Sequence, residues 1–245
     1  MPTAALLIIG NEILSGRTRD ANLAFLGEEL ARLGIPLIEA RVVADHETAI
    51  VAALNALRAE VDYLFTTGGI GPTHDDITTA AVAKAFGLKV IRHPEAVARL
   101  EAHYPDAGTL NAARLKMAEV PDGAALIDNP VSAAPGYRIG NVHVLAGVPS
   151  IARAMFEALK PTLAAGAPIL SRSLAAYVKE GDLAAPLEAI QNSHPAVDIG
   201  SYPFARDGRV GAAVVARGTD PATLETVMSK VSTLLDDLGA ERLPE

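Results

Sequence analysis

The sequence has no cysteine and no tryptophan, few aromatic residues, and no long apolar run. Without cysteine there is no disulfide framework, zinc-thiolate or iron–sulfur site and no thiol nucleophile, so any catalysis must come from oxygen, nitrogen or a hard metal. The longest apolar stretch, residues 4–9, is far shorter than the roughly 18 residues of a membrane span, and no basic segment precedes it. We therefore expect a cytoplasmic protein without a membrane partner.

A surplus of positive charge is also lacking. The formal net charge is -8, the pI is about 5.3, and no cluster of lysine and arginine interrupts the acidic balance. This excludes the positive field on which sequence-independent nucleic-acid binding depends. Half of the 245 residues are apolar, mostly alanine, valine, leucine and isoleucine, which is enough for an ordinary core in one large or two small domains.

The first part of the chain alternates apolar runs with stretches of helical periodicity, which is typical of a parallel sheet covered on both faces. Gly34 and Gly87 follow two of the predicted helices, as expected of helix ends. We predict strands at 3–9, 35–43, 62–66, 88–91, 124–127, 136–139 and 142–146, and helices at 20–33, 47–58, 77–86, 94–103, 111–118 and 150–159. The predicted fold class is α/β, with a doubly wound, mostly parallel sheet.

A change in composition between Pro161 and Pro168 indicates a linker. It divides the chain into a first domain at 1–166 and a second, smaller domain at 167–245. In the second domain we predict a strand at 169–178, a helix at 183–191, strands at 197–204 and 208–216 joined by a turn at Asp207 and Gly208, and a helix at 220–238. This βαββα order favours a small α+β domain.

Three strand-to-helix loops carry unusual residues, and ligands of doubly wound sheets bind beyond the carboxyl ends of the strands. The first loop is Gly10-Asn11-Glu12 with Ser15, the second runs from Thr67 to Thr78, and the third is Ala146 to Ser150. Three glycines in four positions of the second loop would present successive N–H groups to an anion, and the following helix adds its positive end. Phosphate or pyrophosphate is the expected ligand.

Asp75 and Asp76 follow that glycine loop directly. Two carboxylates would repel a bare phosphate, but they suit a divalent cation shared with phosphate oxygens, which points to metal-assisted phosphoryl chemistry. Alternatives stay open: either aspartate would also serve as a helix N-cap, and the glycines would also suit a simple turn. Asp45 is most simply a cap for the helix at 47–58, Ser150 a cap for the helix after it, and Glu12 a solvated surface residue.

Taken together, these segments resemble the competence/damage-inducible protein CinA family. The resemblance rests on residues 10–16, Asn22, residues 43–45 and residues 67–78, and continues through Asn111, 129–130, 134–136 and 147–149. It implies that the first domain has the molybdopterin-binding MoaB/Mog fold and that the second is the small domain following it in CinA. The C-terminal nicotinamide-nucleotide amidase domain of full-length CinA is missing from this sequence, so no deamidase role is implied.

The resemblance implies a metal-dependent nucleotide pyrophosphatase, using Mg²⁺, Mn²⁺ or Co²⁺ on ADP-ribose-like or FAD-like dinucleotides. It equally allows a non-catalytic or adenylyl-transferring protein that binds molybdopterin or another pterin phosphate, or an interaction module linked to competence or DNA damage. A homodimer is expected by the same analogy. Catalysis is assigned to Asp76, Asp75 and Glu12, metal binding to Asp75 and Asp76, and ligand binding to Gly10, Asn11, Ser15, Asp45, Thr67, Gly68, Gly69, Gly71, Thr73, Pro135, Gly136, Gly147 and Pro149.

The sequence departs from the family pattern at several of these places. Asn11 stands where the family usually has aspartate, and Ile151 stands where it usually has glutamate. Ala146 replaces a proline, and Ser132-Ala133 replaces Gly-Thr. If the missing glutamate normally helps to hold a metal, Ile151 would weaken or abolish hydrolysis and leave phosphate binding intact.

Overall fold

A computed structural model describes residues 1–106, 109–206 and 208–244. The chain folds into two compact units: Met1–Leu30 with Ile35–Gly166, and Ala31–Gly34 with Ala167–Glu245. Asp207, which the sequence places in a turn, lies outside the described residues. No helix of the described ranges is long and apolar enough to cross a bilayer.

The first unit is an α/β structure, as predicted. In chain order its elements are β1 (Ala4–Ile9), α1 (Asn11–Leu14), α2 (Asn22–Arg32), β2 (Leu37–Val43), α3 (Glu47–Arg58), β3 (Tyr63–Thr67), α4 (Thr78–Phe86), β4 (Val90–Arg92), α5 (Pro94–His103), α6 (Ala112–Lys116), β5 (Glu119–Pro121), β6 (Ala125–Ile127), β7 (Gly136–Ile139), β8 (Val142–Leu145), α7 (Pro149–Leu159) and a 3-10 turn at Lys160–Thr162.

A six-stranded sheet with the order β2-β1-β3-β8-β7-β6 forms the centre of this unit. The pairs β1/β2, β1/β3 and β3/β8 are parallel, whereas β7 pairs antiparallel with β8 and with β6. All six residues of β1 are buried, because helices cover both faces of the sheet. Leu7 packs with α3 and α4 on one face, and Phe65 meets Phe156 of α7 on the other, with ring centroids 5.9 Å apart.

The direction in which successive strands are added to the sheet reverses beside β1. From β1 the chain moves to β2 on one side, and from β2 it crosses to β3 on the other side. In open α/β sheets the crevice at such a switch point, beyond the carboxyl ends of the strands, is where ligands bind. The fold therefore places the loops after β1 and β3 at the ligand-binding position of this architecture.

The helix ends confirm some predicted signals and correct others. Asp20 caps α2, accepting the Leu23 N–H at 2.7 Å, and Gly34 ends it with a positive φ of 67°. Ser150 is not the cap of α7, because Val148 is its N-cap and Pro149 its first residue. The strands β4 and β5 pair with each other in a separate two-stranded antiparallel sheet, and β5 is not among the predicted strands.

The second unit is a four-stranded antiparallel sheet with two helices. Its elements are β9 (Leu170–Tyr177), α8 (Glu180–Ser193), β10 (Asp198–Arg206), β11 (Arg209–Gly218), α9 (Pro221–Asp237) and β12 (Glu241–Arg242), with the sheet order β10-β11-β9-β12. Its core includes Ala176 and Val214 of the sheet, Leu187 of α8, and Val227 and Leu235 of α9. The predicted α+β arrangement is confirmed, while β12 is not among the predicted strands.

Candidate functional site

The loops after β1, β2, β3 and β8 lie at one edge of the sheet because these strands run parallel. Backbone hydrogen bonds continue beyond the strands into the loops. The Gly10 N–H donates to the Val43 carbonyl at 3.1 Å, and the Gly68 N–H donates to the Leu145 carbonyl at 3.3 Å. The three loops singled out in the sequence are therefore neighbours.

Gly68 is at the centre of this edge. Its φ of +100° lies in the left-handed region, and a Cβ atom here would lie 2.1 Å from the Ile9 carbonyl oxygen. From the other side, a Cβ atom on Gly147 would lie 3.1 Å from the Gly68 Cα. Both glycines are thus required for the close approach of three backbone segments. An isolated turn would not need glycine at both positions.

Thr78 fixes the next part of the glycine loop. Its hydroxyl donates to the Gly68 carbonyl at 2.9 Å, and its N–H donates to the Gly69 carbonyl at 3.0 Å. Gly69 has a φ of +67°, and a Cβ atom there would lie 2.2 Å from the Thr78 hydroxyl oxygen. The fully buried Thr78 therefore fixes the Gly68 and Gly69 carbonyls, which both point toward it.

Gly71 makes room for the Asp76 carboxylate. A Cβ atom on Gly71 would lie 2.6 Å from Asp76 Oδ2. That oxygen accepts both the Thr73 N–H, at 2.8 Å, and the Thr73 hydroxyl, at 2.5 Å. Asp76 is therefore fixed inside the loop and does not cap α4, whose N-cap is Ile77 with no side-chain capping bond.

Asp75 is exposed to solvent over 65% of its side chain. The Thr73 hydroxyl is the main cause that lowers the pKa of the Asp75 carboxyl, followed by its own backbone N–H and the nearby charges of His74 and Lys116. His74 Nδ1 lies 4.0 Å from Asp75 Oδ1. Asp75 is thus an ionised and largely exposed carboxylate next to Asp76 in the sequence.

The first loop repeats the arrangement of a glycine beside a carboxylate. A Cβ atom on Gly10 would lie 2.6 Å from Glu12 Oε1 and 2.7 Å from Oε2, so the Glu12 carboxylate lies against bare backbone. Glu12 is only half-buried. The exposed Ser15 hydroxyl donates to the Glu12 carbonyl at 3.3 Å, which is a local bond within one turn.

Asp45 connects the loop after β2 to the loop after β1. Its Oδ2 accepts the Asn11 N–H at 2.8 Å. The helix that the sequence predicts it to cap, α3, has His46 as its N-cap and no side-chain capping bond. The capping prediction is therefore wrong, and the carboxylate instead holds Asn11 at the sheet edge.

Asn22 is a residue of this region to which the sequence assigns no role. Its side chain is buried, with 3% of the residue exposed, and its Nδ2 donates to the Gly147 carbonyl at 2.9 Å. Its Oδ1 is buried and has no hydrogen-bond partner among the described residues. The sequence signal for this role is an asparagine on the apolar face of an amphipathic helix, in its first turn. A buried amide normally needs a specific hydrogen-bond partner, so this position could have been predicted to contact another part of the site.

Other predicted ligand residues take different places. Thr67 is buried at the end of β3, and its hydroxyl has no partner in the part of the chain that the structure describes. Gly136 is the first residue of β7 inside the sheet, and a Cβ atom there would come within 2.5 Å of the Val144 carbonyl oxygen, so its role is close packing of the strands. Pro149 is exposed at the start of α7.

Pro135 lines a cavity of about 240 Å³ beside the glycine loop. Gly71 and Asp76 form part of its wall, as do Lys116 and Tyr137. Lys116 Nζ donates to the Thr73 carbonyl, which connects α6 to the loop. Burial raises the pKa of the Tyr137 phenol, opposed only in part by its bond to the Thr79 hydroxyl, so the phenol keeps its proton at neutral pH.

Within the described ranges, no three acidic or histidine side chains come together as a metal cage. Magnesium, however, is commonly bound by one or two carboxylates together with substrate phosphates and water. Asp75 and Asp76 are two carboxylates, and they do not form a complete site by themselves.

Residues 5–165 match the family model described as "Probable molybdopterin binding domain", and residues 168–242 match the one described as "FAD synthase, middle domain". A protein of Aeropyrum pernix is 38% identical over an alignment of 213 residues, and this alignment covers 79% of this chain and 79% of that protein. A CinA-like protein of Gloeobacter violaceus is 34% identical over 247 residues, covering 96% of this chain and 57% of the relative.

Among solved structures, one described as the protein CinA with unknown function from Thermoplasma acidophilum is 35% identical, with a TM-score of 0.62. The alignment covers 66% of this chain and 97% of that one. With the sheet order above, these matches confirm the expected fold and the expected resemblance. The chain therefore belongs to the family of the probable molybdopterin binding domain and is a CinA-like member of it.

Proposed function

We propose that this protein is a metal-dependent nucleotide pyrophosphatase that hydrolyses ADP-ribose-like or FAD-like dinucleotides. One observation carries the proposal: the loops after β1, β3 and β8 converge on Gly68. In the loop after β1 the Glu12 carboxylate lies against a glycine, and in the loop after β3 the Asp76 carboxylate does the same. Such an edge presents backbone N–H groups and acidic side chains together, which suits a diphosphate accompanied by a cation.

In this proposal the backbone of Gly69 to Gly71 would bind the diphosphate, and Asp75 and Asp76 would hold the cation. When bound, the cation neutralises charge at the phosphoryl groups. Glu12 orients the attacking water and accepts its proton. Hydrolysis of ADP-ribose consumes one water, breaks the bond between one phosphorus and the bridging oxygen, and releases AMP and ribose 5-phosphate.

FAD is among the substrates that the family resemblance implies, and residues 168–242 match a domain described as part of FAD synthase. This match supports only the choice of test compound.

The absence of a complete metal cage in the described residues also has a consequence: metal affinity should be low without the diphosphate and should rise in its presence.

The test is AMP release from ADP-ribose and from FAD by the full chain, with Mg²⁺, Mn²⁺ or Co²⁺ added in turn. We expect AMP with at least one metal and none in the presence of excess chelator. Failure to release AMP under every metal would refute the proposal.

A second candidate is binding of a pterin phosphate without hydrolysis, with or without adenylyl transfer. It is favoured by the description of the family matched by residues 5–165 and by Asn11 and Ile151, which stand where the resemblance implies carboxylates. Tight binding of a pterin phosphate together with the absence of AMP release would favour this candidate over the first.

A further inference from the structure

We propose that two copies of this chain pair through β2, in an antiparallel register centred on Ala40, so that the central sheet continues from one copy into the other. The inference goes beyond the proposed function and does not depend on it. It begins from the place of β2 in the sheet, where β2 pairs with β1 on one side and with no other strand of the described residues.

The other ends of the larger sheets are poorly suited to accepting another strand. In the central sheet β6 has three residues, and in the second unit β12 has two. The longer β10 contains Pro203, which lacks an N–H and interrupts a ladder. By contrast, β2 has seven residues and no proline. It is therefore the sheet edge at which a second strand would bind best.

Alternate residues of β2 direct their backbone groups toward the open side. The Gly10 N–H donates to the Val43 carbonyl at 3.1 Å, so Val43 is bonded toward β1. Because every second residue of a strand bonds to the same neighbour, Ala40 and Val42 direct their N–H and C=O groups away from β1. Both residues are exposed. The open side thus offers donors and acceptors to an added strand.

A two-fold axis at Ala40 matches the side chains of the two copies. Ala40 would form a hydrogen-bonded pair with the partner's Ala40. Glu39 would lie opposite the partner's Arg41, in a non-hydrogen-bonded pair, where opposed side chains are closest. Val42 would lie opposite the partner's Ile38. The same patch serves both copies, as an interface with two-fold symmetry requires.

The charges make this register specific. Arg41 Nε lies 2.6 Å from Glu39 Oε1 of the same chain, and 40% and 43% of these side chains are exposed. With the axis at Ala40, the two pairs would form one group of four charges with alternating sign. With the axis at Glu39 or at Arg41, like charges would lie opposite each other, which is unfavourable.

The contact would also cover exposed apolar side chains. Ile38 is 56% exposed and Val42 is 39% exposed. The register with β1 shifts between Ala4 and Ala5, so Ile38 is an extra residue and the regular ladder of β2 begins at Glu39. Apolar side chains on an unprotected edge strand promote pairing with another chain. These features together favour a second copy as the occupant.

The test measures the mass of the full chain by sedimentation equilibrium. At about 50 μM we expect twice the 25.4 kDa of one chain. Glu39→Arg and Arg41→Glu would each set like charges opposite each other and should raise the Kd of the dimer by about 100-fold or more. The chain with both changes should dimerise as the wild-type protein does. The matched control is Glu225→Arg, which breaks the exposed pair with Arg172 in the second unit and should leave the Kd unchanged.

A mixture of the two single variants tests the register itself. The Glu39→Arg chain brings two arginines to the contact and the Arg41→Glu chain brings two glutamates, so the mixture should form a one-to-one dimer although each variant alone is a monomer. Circular dichroism checks that each variant is folded. Ala40→Pro, which removes an outward N–H without a change of charge, is the second variant if a reversal does not fold, and it should also give a monomer.

Three results would overturn the inference. The first is a wild-type protein that stays monomeric at about 50 μM. The second is a dimer that neither charge reversal nor Ala40→Pro weakens, since the copies would then meet at another surface. The third is a mixture of folded single variants that remains monomeric.

Discussion

At the scale of single residues, the site is built from glycines that make space for carboxylates. Gly10 lies against Glu12, and Gly71 lies against Asp76, in two loops that are far apart in sequence. The sequence shows glycines after three strands and acids in the first two of these loops, and this is sufficient to predict the three loops. It does not show which acid lies against which glycine, because that depends on the path of each loop.

Gly71→Ala tests this pairing. The added methyl would approach Asp76 Oδ2 to 2.6 Å and displace the carboxylate. We expect kcat/KM for ADP-ribose hydrolysis to fall by about tenfold or more, because small misplacements of a catalytic group are costly. Gly27→Ala is the control: its Cβ would make only an ordinary 3.9 Å contact with Leu37, so activity should be unchanged and stability slightly higher. Full activity of Gly71→Ala would contradict the arrangement.

Acidic side chains also show where local reasoning fails. The sequence predicts that Asp45 caps the helix two residues later, but Asp45 accepts the N–H of Asn11, which is 34 positions away. Asp75 and Asp76 are both possible caps of α4 by sequence, yet Asp76 binds backward to Thr73. A carboxylate near a helix start has several N–H groups in reach, and only the folded loops decide among them.

Asn22→Ala should affect both stability and the site, because the lost Nδ2 bond leaves the Gly147 carbonyl without this donor. We expect the free energy of unfolding to fall by about 1–3 kcal/mol and KM for ADP-ribose to rise several-fold. The matched control is Asn141→Ala: Asn141 donates to the Arg58 and Val61 carbonyls at 3.0 and 2.9 Å, in the turn between β7 and β8. It should lower stability similarly in denaturant unfolding but leave KM unchanged; an equal change of KM in both variants would remove Asn22 from the site.

At the scale of elements, continuous patterns are predictable and short ones are not. The fully buried β1 and the capped α2 follow directly from apolar runs and from Asp20 and Gly34. By contrast, β5 has three residues, ends in proline and pairs with the equally short β4, so no periodicity indicates it. This small sheet supplies Val90 and Glu119 to the cavity, which is why the sequence does not predict the cavity.

His143 on β8 gives the first unit a pH-dependent stability. Burial, with a smaller contribution from Arg138, lowers the pKa of His143 from 6.5 to about 4. Because the unfolded chain binds a proton below pH 6.5 and the folded chain only near 4, stability should fall as pH drops through this window, by up to about 3 kcal/mol.

Denaturant unfolding at several pH values between 4 and 7 measures this effect. In His143→Phe the free energy of unfolding should fall less between pH 7 and pH 4 than in the wild-type protein, because the ring beside Phe65 and Tyr63 no longer titrates. His103→Phe, at an exposed position of α5, should keep the wild-type profile. Identical profiles for wild-type protein and His143→Phe would contradict the assignment.

At the scale of the whole molecule, the chain combines two units that match different family descriptions. All the candidate residues belong to the first unit, and the family resemblance is sufficient to place them there. What the sequence leaves open is how these residues act, since Asn11 and Ile151 stand where the family resemblance implies carboxylates. Activity is therefore the property that has to be measured.

The most direct measurement of the central claim is kcat/KM for AMP release from ADP-ribose, comparing wild-type protein with Asp76→Asn. Asp220→Asn is the matched control, because Asp220 Oδ2 accepts the N–H and hydroxyl of Thr223 much as Asp76 accepts those of Thr73, but in the second unit. We predict a loss of about 100-fold or more in Asp76→Asn and wild-type activity in Asp220→Asn, with both variants folded by circular dichroism. Wild-type turnover in folded Asp76→Asn would contradict the account.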